Sequence, residues 1–253
     1  MEQAKVTENP RHVRAERSAG MEETMLYFDP YYILVIIGAV LCLAASARVK
    51  TTFAKYSKVR SMSGMTGAEA AERILRSAGI YDVAVQRVEG NLTDHYDPRN
   101  RTLSLSDSVF GQTSVAAIGV AAHECGHAIQ HNNGYVPLRL RSAIVPVANF
   151  GSAVSWPIIL VGALFANSQI LIDIGIILFS AAVLFQLVTL PVELNASARA
   201  VRILGDTGIL YDEELKHTRA VLGAAALTYV AGAAAMVLQL IRLLFLFGGR
   251  DRD

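Results

Sequence analysis

His123, Glu124 and His127 form an H-E-x-x-H pentapeptide, with Cys125 and Gly126 between them, inside the apolar and small-residue run Val115 to Ile129. On a helix, side chains four residues apart lie one above the other on a single face. Both imidazoles can therefore reach one ion while Glu124 faces water beside it. Imidazole nitrogen suits Zn²⁺, and a carboxylate next to a ligand can take a proton from water that the metal polarises. The chemistry implied is metal-assisted hydrolysis with Glu124 as general base. A catalytic zinc keeps three protein ligands and an open position, so the two histidines are an incomplete set.

The third ligand must come from elsewhere. The metzincin spacing would place a glycine three residues and a histidine six residues after His127, where this chain has Gln130 and Asn133. His131 lies eight residues beyond His123, about 12 Å along a helix at about 1.5 Å per residue, too far to share an ion with it. Glu193 is the best candidate. It follows an apolar run directly and is expected to open a helical run, Glu193 to Leu204. His95, Tyr96, His131, Arg199 and Tyr229 are the residues open for stabilising a developing oxyanion.

The elements that must position these groups are mostly apolar. The 253-residue chain is 53% hydrophobic and 18% charged, too apolar for an ordinary soluble domain and too interrupted for a bundle of spanning helices alone. Four stretches are long enough to cross a bilayer, which takes about 20 helical residues: Tyr31 to Ala47, Ser142 to Ala166, Ile170 to Val192 and Val221 to Phe247. The fold class expected is a mainly α membrane protein, four transmembrane helices with a small α+β zincin-like cytoplasmic domain. The expected division is a disordered tail over 1–26, a first transmembrane helix over 27–47 and the zincin-like domain over 48–141. A transmembrane hairpin over 142–192 follows, then a third-ligand helix and linker over 193–220, a fourth transmembrane helix over 221–247 and a tail over 248–253. Asp173 and Arg242 fall near the ends of their spans, where polar tips reach the interface.

Charge orients the spans. Arg48, Lys50, Lys55, Lys58 and Arg60 follow the first span without an acid, whereas Glu22, Glu23 and Asp29 precede it, which puts residue 48 onward in the cytoplasm. Two crossings separate His127 from Glu193, so both return to one side. The net charge of +1 gives no reason to expect a nucleic-acid partner. Cys42 and Cys125 suggest no disulfide framework.

Ahead of the pentapeptide, Thr66-Gly67-Ala68-Glu69 reads as a capping box opening a helix from Gly67 to about Ala78. Asp82 to Val88 and Arg101 to Ser106 alternate as two short strands around the turn-forming run Asp97-Pro98-Arg99-Asn100. The strand just before the metal helix is expected to be an open edge onto which a peptide adds.

The run Glu193-Leu194-Asn195-Ala196-Ser197 is similar to the Glu-x-x-Ala-Asp segment of the membrane gluzincin peptidases, which include the HtpX heat-shock proteases and the CAAX prenyl endopeptidases. Over about residues 30 to 245 the chain more closely resembles the YugP-type bacterial neutral zinc metallopeptidases. That resemblance rests on Thr93-Asp94-His95-Tyr96-Asp97-Pro98, on Ala122 to His131 and on Leu190-Pro191-Val192-Glu193. It implies a multi-pass protein of the bacterial plasma membrane, Zn²⁺ held by His123, His127 and Glu193, and a protein or peptide substrate cleaved on the cytoplasmic side. The alternative is a zinc-stabilised membrane scaffold without proteolytic activity. Ser197 stands where the wider group carries an aspartate that orients a ligand histidine, a role that Ser197, Asp94 or Asp97 is left to fill.

Overall fold

A computed structural model of the chain describes residues 29–165 and 168–248; the expected tail over 1–26 lies outside them. In chain order the elements are α1 (Tyr32–Tyr56), α2 (Gly67–Ser77), β1 (Ala84–Val88), β2 (His95–Asp97), β3 (Thr102–Ser106), α3 (Val115–Asn132), α4 (Val136–Leu160), α5 (Gln169–Asp206) and α6 (Asp212–Phe247). A π-helical segment, Val161–Phe165, extends α4.

Four helices are long and apolar enough to cross a membrane: α1, α4 with its extension, α5 and α6. Each most apolar stretch is at most one-third buried within the protein, and Ile36, Val40, Leu43, Leu164, Ile170 and Ile177 are among the large apolar side chains left exposed. So much outward apolar surface is what lipid covers. The helices outrun the predicted spans. α1 continues past Ala47 to Tyr56, and α4 begins at Val136, not near Ser142. Most consequential is α5: a helix was expected to begin at Glu193, but one 38-residue helix runs unbroken through Pro191 and carries Glu193 in its interior. Proline in such a helix loses one backbone donor, which packed neighbours tolerate.

At one end of the bundle polar groups gather. Arg242 Nε donates to Asp29 Oδ2 at 2.5 Å, its guanidinium lies over the Tyr32 ring, and Gln169 Nε2 donates to Asp173 Oδ1 and to the Phe247 carbonyl. Arg242 thus has an acid and an aromatic face as partners. The tail of α4, the start of α5 and the end of α6 enclose Ile159, Ile172, Ile176, Phe179, Val183 and Leu243.

At the other end sits the polar lobe. The capping box is formed in full, with Thr66 Oγ1 accepting from the Glu69 amide and Glu69 Oε2 accepting from the Thr66 amide, and α2 stops before Gly79 at φ +72°. The sheet has three strands in the order β1-β3-β2, not two. β3 pairs parallel with β1 and antiparallel with β2, in the registers Leu103 with Val85 and with Tyr96. The strand before α3 is therefore central, and the expected open edge there is wrong. The segment His95–Asp97, too short to show alternation, doubles back on the Pro98 turn and covers that edge.

α3 lies at the centre of the lobe. Ser114 caps it, accepting from the Ala117 amide at 3.2 Å, and Ile118, Ala121, Ala122 and Cys125 pack with Ala71 and Ile74 of α2, Leu103 and Leu105 of β3 and Ala200 and Leu204 of α5. Its glycines permit the approach to the long helices. A Cβ on Gly126 would stand 2.7 Å from the Ala196 carbonyl oxygen of α5, and one on Gly119 would meet Thr218 of α6 at 3.0 Å. Gly126→Ala should therefore cost about 1–3 kcal/mol through overpacking and lower the thermal midpoint in detergent. Gly111→Ala, with nothing within 4 Å, should leave it in place. Equal midpoints for the two variants would show that α3 is not locked on α5.

Candidate metal centre

The close passage at Gly126 sets the face of α3 that carries both histidines against the α5 turn that carries Glu193. His123 Nε2 lies 3.3 Å and His127 Nε2 3.5 Å from Glu193 Oε2. One donor atom from each of the three residues lies within 4.8 Å of the others. The two rings meet edge to face, with centroids 4.8 Å apart, so that both Nε2 atoms turn to one point. The three side chains are withdrawn from water, with 14%, 12% and 4% exposure for His123, His127 and Glu193.

Whether this set suits an ion depends on which ring nitrogens carry protons, and the surroundings decide that for His127. Gln130 is fully buried. Its Nε2 donates to the Val192 carbonyl at 2.8 Å and to Asn195 Oδ1 at 3.0 Å. These bonds fix the amide with Oε1 as an acceptor, 3.0 Å from His127 Nδ1. The proton of neutral His127 therefore sits on Nδ1, and the Nε2 lone pair faces the shared point. His123 is arranged alike, with Nδ1 3.1 Å from Ser197 Oγ. Imidazole ligands held through their second nitrogen are a hallmark of metal sites. Two nitrogens and one carboxylate oxygen fit the donor preferences of zinc, with room for a fourth partner. In the protein alone, burial opposes charge on His127, but the Glu193 and Glu124 carboxylates outweigh it and hold its pKa above the ordinary histidine value.

Glu193 is anchored from its other oxygen: Arg141, on α4, donates from Nη1 to Oε1 at 3.0 Å. Three helices thus meet at one carboxylate. Glu124 is buried and lines, with His123, His127, Glu193 and Tyr229, a cavity of about 310 Å³ that β2 borders through His95 and Tyr96. Cys125 takes no part. Its Sγ donates to the Ala71 carbonyl on the opposite face of α3, and burial together with the nearby Glu124 pushes its thiol well above the usual range.

The four residues predicted from the pattern, His123, Glu124, His127 and Glu193, are thus brought together. Of the groups left open beside them, Ser197 is the one beside His123. Asp94 instead accepts from the Ser106 amide and hydroxyl, and Asp97 closes its own turn on Arg99 and Asn100. His131 stands 2.8 Å from the Tyr96 hydroxyl through Nδ1, away from the ligands. Arg199 is bound to Asn195 and lies over the Tyr135 ring. Sequence reading passed over Gln130 and Arg141 as site residues. A glutamine one turn beyond His127 on the same face signals the first. Nothing local signals the second.

A family model described as "Putative neutral zinc metallopeptidase" matches residues 31–248. The "Putative membrane protease YugP" of Bacillus subtilis (strain 168) is 49% identical over 224 residues, which is 88% of this chain and 99% of that protein. No solved structure matches the chain.

Removing either imidazole anchor should loosen the metal without unfolding the protein. Gln130→Ala and Ser197→Ala should each weaken zinc binding by about 10- to 100-fold in competition against a chromophoric chelator, with Ser197→Asp at least as tight as the native chain. Unchanged affinity in Gln130→Ala would show that the ring orientation does not depend on it.

Proposed function

The chain belongs to the neutral zinc metallopeptidase family, and on that premise we propose that it is a membrane-bound endopeptidase that hydrolyses peptide bonds with Glu124 as general base. The observation that carries this reading is the approach of two Nε2 atoms to Glu193 Oε2 at 3.3 and 3.5 Å, each imidazole anchored from behind, beside a buried carboxylate that no ligand role requires.

His123, His127 and Glu193 would hold the zinc ion. Bound there, the metal supplies Lewis acidity toward a peptide carbonyl and toward water, with no covalent intermediate on the protein. Glu124 takes the proton of the attacking water and passes it to the leaving nitrogen, a task that its buried place in the cavity wall suits. Arg141 holds Glu193 by its second oxygen, which keeps the first turned to the histidines. For the developing oxyanion the cavity offers Tyr229 and His95. His95 Nδ1 faces the Thr93 carbonyl at 2.9 Å, which can only accept. The neutral ring is thereby left with an acceptor at Nε2, so of this pair the Tyr229 hydroxyl is the donor.

The polar lobe with the ligands is read as a zincin-like domain on the cytoplasmic side of a bacterial plasma membrane. The basic run Arg48 to Arg60 supports that side. The zinc-stabilised scaffold remains the second reading, favoured by the same anchored ligands and opposed by the intact Glu124.

Glu124→Gln should bind zinc as the native chain does and lose about 10²- to 10⁴-fold in cleavage of an unfolded protein; zinc-loaded variant that cleaves undiminished would sink the general-base role. A cysteine placed at exposed Glu89 should react with a membrane-impermeant maleimide only after permeabilisation of the cells. Labelling of intact cells would put the lobe outside.

A further inference from the structure

The cavity beside the ligands does not end at them. A second cavity of about 510 Å³ adjoins it, and Pro98, Leu138, Ser142 and Val145 line both. The shared walls make the two one cleft, running between the turn after β2 and the first turns of α4.

The halves of this cleft differ in charge. Asp94, Glu124 and Glu193 line the half at the ligands, whereas the far half is lined by Arg99 and Arg139 and by no carboxylate. Neither arginine takes part in an ion pair among the described residues. Asp97, next but one to Arg99, is turned to the Arg99 amide and the Asn100 side chain. Arg141, two residues from Arg139, is committed to Glu193. Two exposed guanidinium groups outside any ion pair thus stand on the wall of a cleft that Val145 and Pro146 also line. A guanidinium presents a planar fork of donors that matches a carboxylate.

We propose that the far half of the cleft is a substrate subsite for a carboxylate, held by Arg99 and Arg139, and that it directs cleavage to peptides with an acidic group close to the scissile bond. The inference rests on the peptidase reading for its consequence in catalysis, but the subsite itself can be read by binding alone. The group recognised is an aspartate or glutamate side chain or the carboxylate at a chain end.

The test uses zinc-loaded Glu124→Gln protein in detergent and four fluorescent peptides, carrying one glutamate or one glutamine, each with a free or an amidated C-terminus. The amidated glutamate peptide should bind about tenfold or more tightly than its glutamine twin. Adding Arg99→Glu and Arg139→Glu should abolish or invert that preference, leaving zinc content and affinity for the amidated glutamine peptide unchanged. A preference that follows the free terminus and not the side chain assigns the subsite to a chain end. Equal affinities for all four peptides, or a preference that survives the double charge reversal, overturns the subsite. Cleavage of the same peptides by protein with Glu124 intact is read separately: selective binding without any cleavage would keep the subsite and remove the peptidase reading.

Discussion

The passage of α3 across α5 at Gly126 and Ala196 is the contact on which the arrangement depends. A side chain at that point would meet backbone and not a flexible neighbour, so the helices approach as closely as they do because one of them has no Cβ there. One turn to either side of the crossing, the same closeness lets Gln130 of α3 reach the Val192 carbonyl and Asn195 of α5, and Ser197 of α5 reach His123 of α3. His123 is aimed by Ser197 of Glu193's helix, and His127 by Gln130 of its own helix, whose amide Val192 and Asn195 of α5 fix in turn.

Legibility in the sequence followed how local each signal was. The pentapeptide on its helix and the capping box each declare themselves within one or two helical turns, and the four apolar helices through continuous apolar runs, whose existence the pattern gave and whose ends it set short. Glu193 was legible because a carboxylate directly after an apolar run is conspicuous. What escaped depends on tertiary contact. β2 spans three residues and exists as a strand because β3 lies beside it. Continuity of α5 through Pro191 contradicts the local preference of proline, and packing against α3, α4 and α6 overrides it. Arg141 is an ordinary basic residue at a helix start until α4 folds back beside α5.

Polar groups at the two ends of the bundle serve different ends. Asp29, Tyr32 and Arg242 tie the start of α1 to the end of α6, and the adjoining cluster between Ile159 and Leu243 is apolar. No carboxylate there converges with histidine among the described residues. At the opposite end, the buried side chains of Gln130 on α3 and Glu193 on α5 each have partners that fix their orientation. Burying polar groups costs free energy unless they are bonded, so the bonds on Gln130 and Glu193 serve orientation, with stability supplied by the apolar packing around them.

Because α5 is continuous, the ligand it carries is mounted on a rod and not on a loop. From Gln169 to Glu193 the helix rises about 36 Å at about 1.5 Å per residue, slightly more than the roughly 30 Å of a bilayer's hydrocarbon core. The height of the candidate metal centre relative to the lipid is thereby set by a helix length and a tilt. A bilayer that thickens or thins must tilt that rod or deform around it, and the centre is carried up or down with it. Under the proposed peptidase reading, such a rod would act as a ruler for a substrate anchored in the same bilayer, setting the bond within reach by its distance from the membrane surface.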